Sequence, residues 1–202
     1  MTRRKGYHHG NLRAGLVAAG VELVREGGGA ALTTRACAQR NGVSSSAVFR
    51  HFRDRRALVE AVAEEGFAML ARRTAAADPG LVRRDHLLAI GGAYLRFAID
   101  EPNLFRLRYS SEALDAGETG PEVTPDPLLV QVAFAAGAGG DPGDARTLLA
   151  WSIVYGLAML TLDKQLEGLV PRDSHERAER LDAILKCALP LFAAPDGVDR
   201  KE

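Results

Sequence analysis

The sequence is short of several features, and each shortage excludes a class of protein. It has only two cysteines, Cys37 and Cys187, with no metal-like pairing, so neither a disulfide framework nor a metal site is expected. Its longest stretch without a charge, Thr147 to Leu162, is 16 residues and includes Ser152, Tyr155 and Thr161. That falls below the roughly 20 apolar residues of a membrane span, so it reads as a buried helix. The basic start, Arg3-Arg4-Lys5, is followed by no apolar run, so no signal peptide is expected. Neither β-branched runs nor sustained period-two alternation occur, which argues against strands. Also missing are a Gly-rich phosphate loop, a Gly-x-Ser-x-Gly turn and a cluster of Cys and His. The scattered carboxylates Asp100, Glu101, Asp163 and Glu167 fall at helix ends or on exposed faces, where solvation is their expected role. The expectation is a reduced cytoplasmic protein that is not an enzyme and holds no cofactor, no metal and no membrane.

What is present is ordinary in bulk and uneven in distribution. The 202 residues, 47% apolar and 26% charged, suit one large soluble domain or two small ones. A net charge of zero hides a split: residues 1–60 hold 11 Lys and Arg against 4 Asp and Glu, and residues 61–202 hold 15 against 22. A basic head on an acidic body suggests that one part meets a polyanion while the other does different work. Arg outnumbers Lys by 22 to 4 in a chain rich in Ala and Gly, which fits a GC-rich bacterial genome and says nothing about binding by itself.

Helical spacing recurs along the chain. Leu12, Leu16, Ala19, Leu23 and Val24 form a first stripe, ended by Gly27-Gly28-Gly29. Thr33 can cap a short second helix that stops at Asn41-Gly42, and Ser44 can cap a third with Ala47, Val48 and Phe52 inward. Asp54 can cap a longer fourth carrying Leu58, Val62, Phe67 and Leu70, which ends before Asp78-Pro79-Gly80. Further helices are expected over about Val82–Ile99, Asn103–Tyr109, Pro127–Ala138, Asp144–Leu166 and His175–Ala193, with Pro190 kinking or fraying the last. The fold class is all-α: an N-terminal three-helix helix-turn-helix DNA-binding head and a C-terminal helical bundle, about nine helices in all. The division expected is 1–60 for the head and 61–202 for the body.

Thr33 to Phe52 carries the most information. Two short helices are joined by Asn41-Gly42-Val43, the turn length of a helix-turn-helix. The second presents Ser44, Ser45, Ser46, Phe49, Arg50 and Arg53. Small polar residues at a helix start permit close approach to base edges in a major groove. Thr33, Thr34 and the N–H groups opening the second helix suit phosphates, and Arg35, His51, Arg55 and Arg56 add charge along the same surface. Taken singly, any of these residues reads equally well as an ordinary cap or a solvated charge; the constellation does not.

The runs Leu32-Thr33-Thr34-Arg35-Ala36-Cys37-Ala38, Gly42-Val43-Ser44, Phe49-Arg50-His51-Phe52 and Arg55-x-x-Leu58 resemble the DNA-binding head of TetR-type transcriptional regulators over about residues 10–66. The resemblance implies that Ser45, Ser46, Ala47 and Arg50 read bases. It also implies that Thr33, Thr34, Phe49, His51 and Arg55 lie along the DNA backbone. Phe49 stands where a Tyr is usual, so a hydroxyl–phosphate bond is lost, and Arg55 replaces a Lys, keeping the charge with a different geometry. Trp151-Ser-Ile-Val-Tyr155-Gly156 resembles the Trp-x-x-x-His-Gly signature of one C-terminal subclass, with Tyr155 in place of His, and Tyr7-His8-His9-Gly10 fits that subclass too. The family uses its body to dimerise through the last two long helices and to hold a small effector. A palindromic operator on double-stranded DNA, a homodimer and a releasing effector are therefore the expected partners, with repression the majority behaviour.

From the residues themselves, Phe67, Tyr94, Phe97, Phe105, Tyr109, Trp151, Tyr155 and Met159 supply most of the body's aromatic and soft volume. They are the candidates for an effector pocket for a mostly apolar molecule, and each reads also as plain core. Tyr94, Tyr109 and Tyr155 are the strongest, because a buried hydroxyl needs a partner. The loop Ala116–Pro127 is the candidate entrance, the fourth helix the candidate connector, and His8 and His9 read as an arm near DNA. The rival reading is a helical small-molecule-binding protein or enzyme whose basic head is incidental; the charge split and the helix-turn-helix weigh against it.

Overall fold

The computed structural model describes residues 12–76, 83–110 and 127–192. Among them are nine α-helices and no strand: α1 (Leu12–Ala31), α2 (Thr34–Arg40), α3 (Ser45–Phe49), α4 (Arg55–Ala75), α5 (Arg83–Asp100), α6 (Pro102–Arg108), α7 (Pro127–Ala135), α8 (Ala145–Leu162) and α9 (Ser174–Ala188). A 3-10 turn, Leu189–Phe192, follows α9. The Tyr7–Gly10 segment and the loop from Ala116 to Asp126 lie outside the described residues. Contacts divide the chain into two units. The first holds the described residues up to Ala68 together with 103–110, and the second holds the rest.

In the first unit α1 buries Leu16, Ala19, Gly20 and Val24, and it leaves helical geometry at Gly27 (φ −138°, ψ 15°) and Gly28 (φ 69°, ψ −172°), where the glycine run stands. Thr33 caps α2, its hydroxyl accepting from the Ala36 N–H at 3.1 Å. The α2 exit is a hydrogen-bonded turn in which Gly42 N–H donates to Gln39 O and Val43 N–H to Ala38 O, at 3.1 and 3.0 Å. Gly42 has φ +66°, a conformation in which a Cβ would meet the carbonyl oxygen, so glycine belongs there. Ser44 caps α3 by accepting from Ala47 N–H, and Asp54 caps α4 by accepting from Ala57 N–H at 2.8 Å. The buried set is Leu16, Val24, Leu32, Cys37, Val48, Phe52, Leu58, Val59 and Val62, joined by Leu104, Phe105 and Leu107 of α6. Asn103 Nδ2 donates to Arg25 O at 3.0 Å and Arg108 lies over the Phe67 ring at 4.8 Å, so α6 is bound into this unit. At Gly20 an added Cβ would sit 2.5 Å from Val62 Cγ2, which marks the closest approach of α1 and α4.

The second unit is built on α5, which packs against α7, α8 and α9. Ile90, Tyr94, Leu95, Phe97 and Ala98 of α5 meet a core of Leu128, Val132, Ala150, Val154, Leu157, Leu181, Leu185 and Leu189. Asp144 caps α8 and Asp173 caps α9 through bonds to the first free N–H groups. The Arg146 side chain and then its backbone N–H hold the Asp144 carboxyl below its ordinary range. Three helix ends fall short of the expected positions. α7 stops at Ala135 rather than Ala138, α8 stops at Leu162 rather than Leu166, and α9 stops at Ala188 with Pro190 in the 3-10 turn. The first two turn off at left-handed residues, Gly137 (φ 80°) and Lys164 (φ 60°). The third does so because Pro190 has no N–H to continue the helix.

Candidate functional site

The surface expected to meet DNA is formed by α2, the Asn41–Val43 turn and α3. Val48 is the one fully buried residue of α3, and it anchors a helix whose Ser45, Ser46 and Phe49 are exposed. Thr33, Arg35, Ser44, Ser45, Ser46, Phe49, Arg50 and His51 are exposed, while Thr34, Ala47 and Arg55 are half-buried. Phe49 is 52% exposed.

The cations on and around this surface differ in what already holds them. Arg40 is bonded to Glu26 at 2.6 Å, and that guanidinium holds the Glu26 carboxyl below its ordinary range. Arg53 reaches Asp54 and Arg56 reaches Glu60, each at 3.4 Å. Arg13 lies 5.3 Å from the centre of the Phe52 ring. Among the described residues Arg35 and Arg50 make neither an ion pair nor a side-chain hydrogen bond, so their donors are free. The serines differ too. Ser44 is used as the cap and shares a 2.8 Å hydroxyl contact with Ser46, whereas Ser45 has no partner among the described residues.

Arg55 does something its place in the sequence did not signal. Its Nε donates to Leu32 O at 2.9 Å and its Nη2 to Gly29 O at 3.0 Å, so the side chain is folded onto the end of α1. It ties the start of α4 to that turn. Cys37 is fully buried under α2, and burial pushes its thiol up to about 11, against a smaller opposing effect of Arg40. It is a small apolar core residue rather than a nucleophile.

The candidate effector residues are divided between the two units. In the second unit an apolar cavity of about 40 Å³ is lined by Tyr94 and Trp151, with Leu88, Ile90, Gly91, Val154 and Leu185 among its other walls. Phe97 is 2% exposed in the core of α5 and Arg73 lies over its ring, 5.2 Å from the centre. Tyr155 and Met159 are half-buried on α8 and do not line the cavity, although the Tyr155 ring lies 5.6 Å from that of Trp151. Phe67, Phe105 and Tyr109 belong to the first unit, where Phe105 and Tyr109 pack ring to ring at 5.1 Å. Leu88, Val154 and Leu185 were not foreseen as cavity walls, because aliphatic residues at helical spacing carry no mark that separates a void from a filled core. Among the described residues no three His, Cys, Asp or Glu side chains come together as metal ligands.

Comparison with known proteins matches two stretches of the chain. Residues 16–62 match the family described as bacterial regulatory proteins, tetR family, and residues 87–185 match the tetracyclin repressor-like C-terminal domain. The chain is 31% identical over 189 residues to the tetracycline repressor protein class A from transposon 1721 of Escherichia coli, covering 90% of this chain and 82% of that one. A solved protein of unknown function from Rhodococcus sp. RHA1 is 28% identical, with TM-score 0.64 over 94% of this chain and 97% of the other. A TetR variant from Acinetobacter baumannii AYE, solved with minocycline, shares the fold at 21% identity and TM-score 0.58, over 94% and 100% of the two chains.

Proposed function

Because the chain belongs to the tetR family of bacterial regulatory proteins, we propose that it is a ligand-responsive repressor acting in the cytoplasm. It binds a palindromic operator as a homodimer and is released by a small, mostly apolar effector. The observation that carries this reading is the outward face of α3, where Ser45 and Arg50 are uncommitted on a capped helix anchored by Val48. Arg50 suits the bidentate contact to guanine in a major groove, and Ser45 reaches a neighbouring base edge. Arg35, Thr33, Thr34, His51 and the ring of Phe49 follow the DNA backbone, with Ser44, Ser46 and Ala47 close enough to shape the fit. Arg55 acts through position, by holding α4 against the end of α1. Arg50→Ala should cost about 1–3 kcal/mol at one base position and relax preference there, while Arg35→Ala should weaken binding to all sequences alike. Equal losses on operator and random duplex for both variants would oppose these assignments.

The dimer rests on the apolar surface left on the last two long helices. Leu148, Leu149 and Leu160 of α8 and Ile184 of α9 are 44%, 40%, 45% and 37% exposed. A self-complementary patch on a second copy would bury them. The same leucines make α8 long and apolar enough in composition to enter a bilayer. At 18 residues, however, it is only about 27 Å long, under the ~30 Å of a hydrocarbon core. A monomer in sedimentation at micromolar concentration would contradict the dimer.

The effector is assigned to the cavity beside Tyr94 and Trp151. Among the described residues no charged side chain lines it, which favours an uncharged apolar ligand. Its 40 Å³ is far below the ~300–1,000 Å³ of drug-sized sites, so a bound molecule is either compact or moves α5, α8 and α9 apart. Such a ligand binds the DNA-incompetent state more tightly, with a coupling of about 1–3 kcal/mol. Stabilisation by a panel of compact apolar molecules tests this; no shift with any of them would oppose it.

A further inference from the structure

Three helices of this chain end in the same pair of backbone bonds. At α2 the donors are Gly42 and Val43, at α7 they are Gly137 to Phe134 O and Ala138 to Ala133 O, and at α8 they are Lys164 to Thr161 O and Gln165 to Leu160 O. The residue in the left-handed position is glycine at the first two and lysine at the third, with φ 60°. Lys164 is the only non-glycine with positive φ among the described residues, and it is one of only four lysines in the chain. Glycine satisfies this turn with less strain, so the turn itself gives no reason for a lysine.

Lys164 is among the residues that line a cavity of about 480 Å³, distinct from the one beside Tyr94. Ile99, Leu162 and Val170 give it apolar walls, and among the described residues that line it Lys164, Arg172 and Arg177 are cationic and Glu167 alone is acidic. Arg177 is fixed in place, its Nε donating to Pro171 O at 3.1 Å and its Nη2 to Arg172 O at 2.8 Å, with Nη1 left over. Lys164 and Arg172 make no ion pair among the described residues. This cationic concavity lies in the part of the sequence where acids outnumber bases by 22 to 15. Its volume falls in the range of small-molecule sites.

We propose that this cavity binds a carboxylate with an apolar tail: the head meets Lys164 and Arg172, beside the pre-positioned Arg177, and the chain lies on Ile99, Leu162 and Val170. An inorganic anion would leave the apolar walls wet, and a neutral hydrocarbon would gain nothing from the exposed cations Lys164 and Arg172. The site stands independently of the effector assignment above.

The test is calorimetric titration of the full-length protein with decanoate and, separately, with decanol of the same chain length. Decanoate should bind at least tenfold more tightly than decanol, and added salt should weaken the difference. Lys164→Gly should keep or raise the melting temperature, because it relieves the left-handed strain, while lowering decanoate affinity at least fivefold. Arg172→Gln should lower it similarly with the melting temperature unchanged. Equal affinity for acid and alcohol, no binding of either, or decanoate binding unaltered by both substitutions would overturn the proposal. So would loss of decanoate binding on Ala150→Leu alone, which would place the ligand in the other cavity.

Discussion

Replacing Arg55 separates two roles that a basic residue near DNA can have. In the structure its Nε and Nη2 each donate to a carbonyl, Leu32 O at 2.9 Å and Gly29 O at 3.0 Å, in a half-buried setting. A hydrogen bond from a charged donor contributes about 1.5–3 kcal/mol when well shielded, and partial exposure reduces that. The Gly29 carbonyl keeps a second donor, the Leu32 N–H at 3.1 Å, so it is not orphaned by the change. Lys retains the charge but cannot place two donors in the fixed geometry of a guanidinium. Arg55→Lys should therefore lose about 1–2 kcal/mol, and Arg55→Gln about 2–3 kcal/mol. For a chain of this size 1 kcal/mol corresponds to a fall of roughly 2–4 °C in melting temperature. DNA binding should weaken through the misplaced start of α4, with the slope of log affinity against log salt unchanged, since no phosphate contact is lost. A direct phosphate contact behaves differently: Arg55→Gln would reduce that slope by about 0.9, and Arg55→Lys would leave both slope and stability near native. Melting curves and a salt series on the two variants decide it. A reduced slope together with native stability would refute the clamp.

Other expectations follow from equally local geometry. Gly20→Ala should destabilise the first unit by about 1–3 kcal/mol, because the new methyl meets the fully buried Val62 at 2.5 Å; a native melting temperature would mean that α1 and α4 can part freely. Cys37 should resist alkylation in the folded protein at pH 8 while the exposed Cys187 reacts. Since the folded thiol of Cys37 titrates near 11, above its ordinary value of 9.0, its contribution to stability is complete below about 9 and declines as pH rises towards 11. A Cys37→Ala variant should lose that alkaline decline, as read by urea unfolding between the two pH values. Ala150→Leu should fill the cavity beside Tyr94 and abolish stabilisation by any compact apolar ligand while leaving DNA binding intact; ligand binding that persists would move the effector elsewhere.

The parts of this molecule visible in the sequence are those governed by neighbours in the chain. Thr33, Ser44 and Asp54 announce their helix starts because a cap needs only a side-chain oxygen and the N–H three residues on. Gly42 announces the turn for a similar reason. What was hidden depends on partners far away in sequence. Nothing near Asn103 says that its amide will meet Arg25 O, so the membership of α6 in the first unit had no local signal. Phe67 and Phe105 read as pocket candidates because aromatic type was the available clue, yet their environment in that unit comes from Arg108 and Tyr109. α8 ends four residues before its sequence suggests, because Lys164 carries no glycine-like mark of a left-handed turn.

The proposed repressor depends on α3 reading base sequence as one half of a two-fold pair. Selection of bound duplexes from a random pool, at fixed salt and followed by sequencing, tests it most directly. A palindrome should emerge with half-sites centred about 10–10.5 base pairs apart or a multiple of that, and Arg50→Ala should lose preference within each half-site. A pool that emerges with no enriched sequence, or one enriched equally by native protein and by Arg50→Ala, would contradict it.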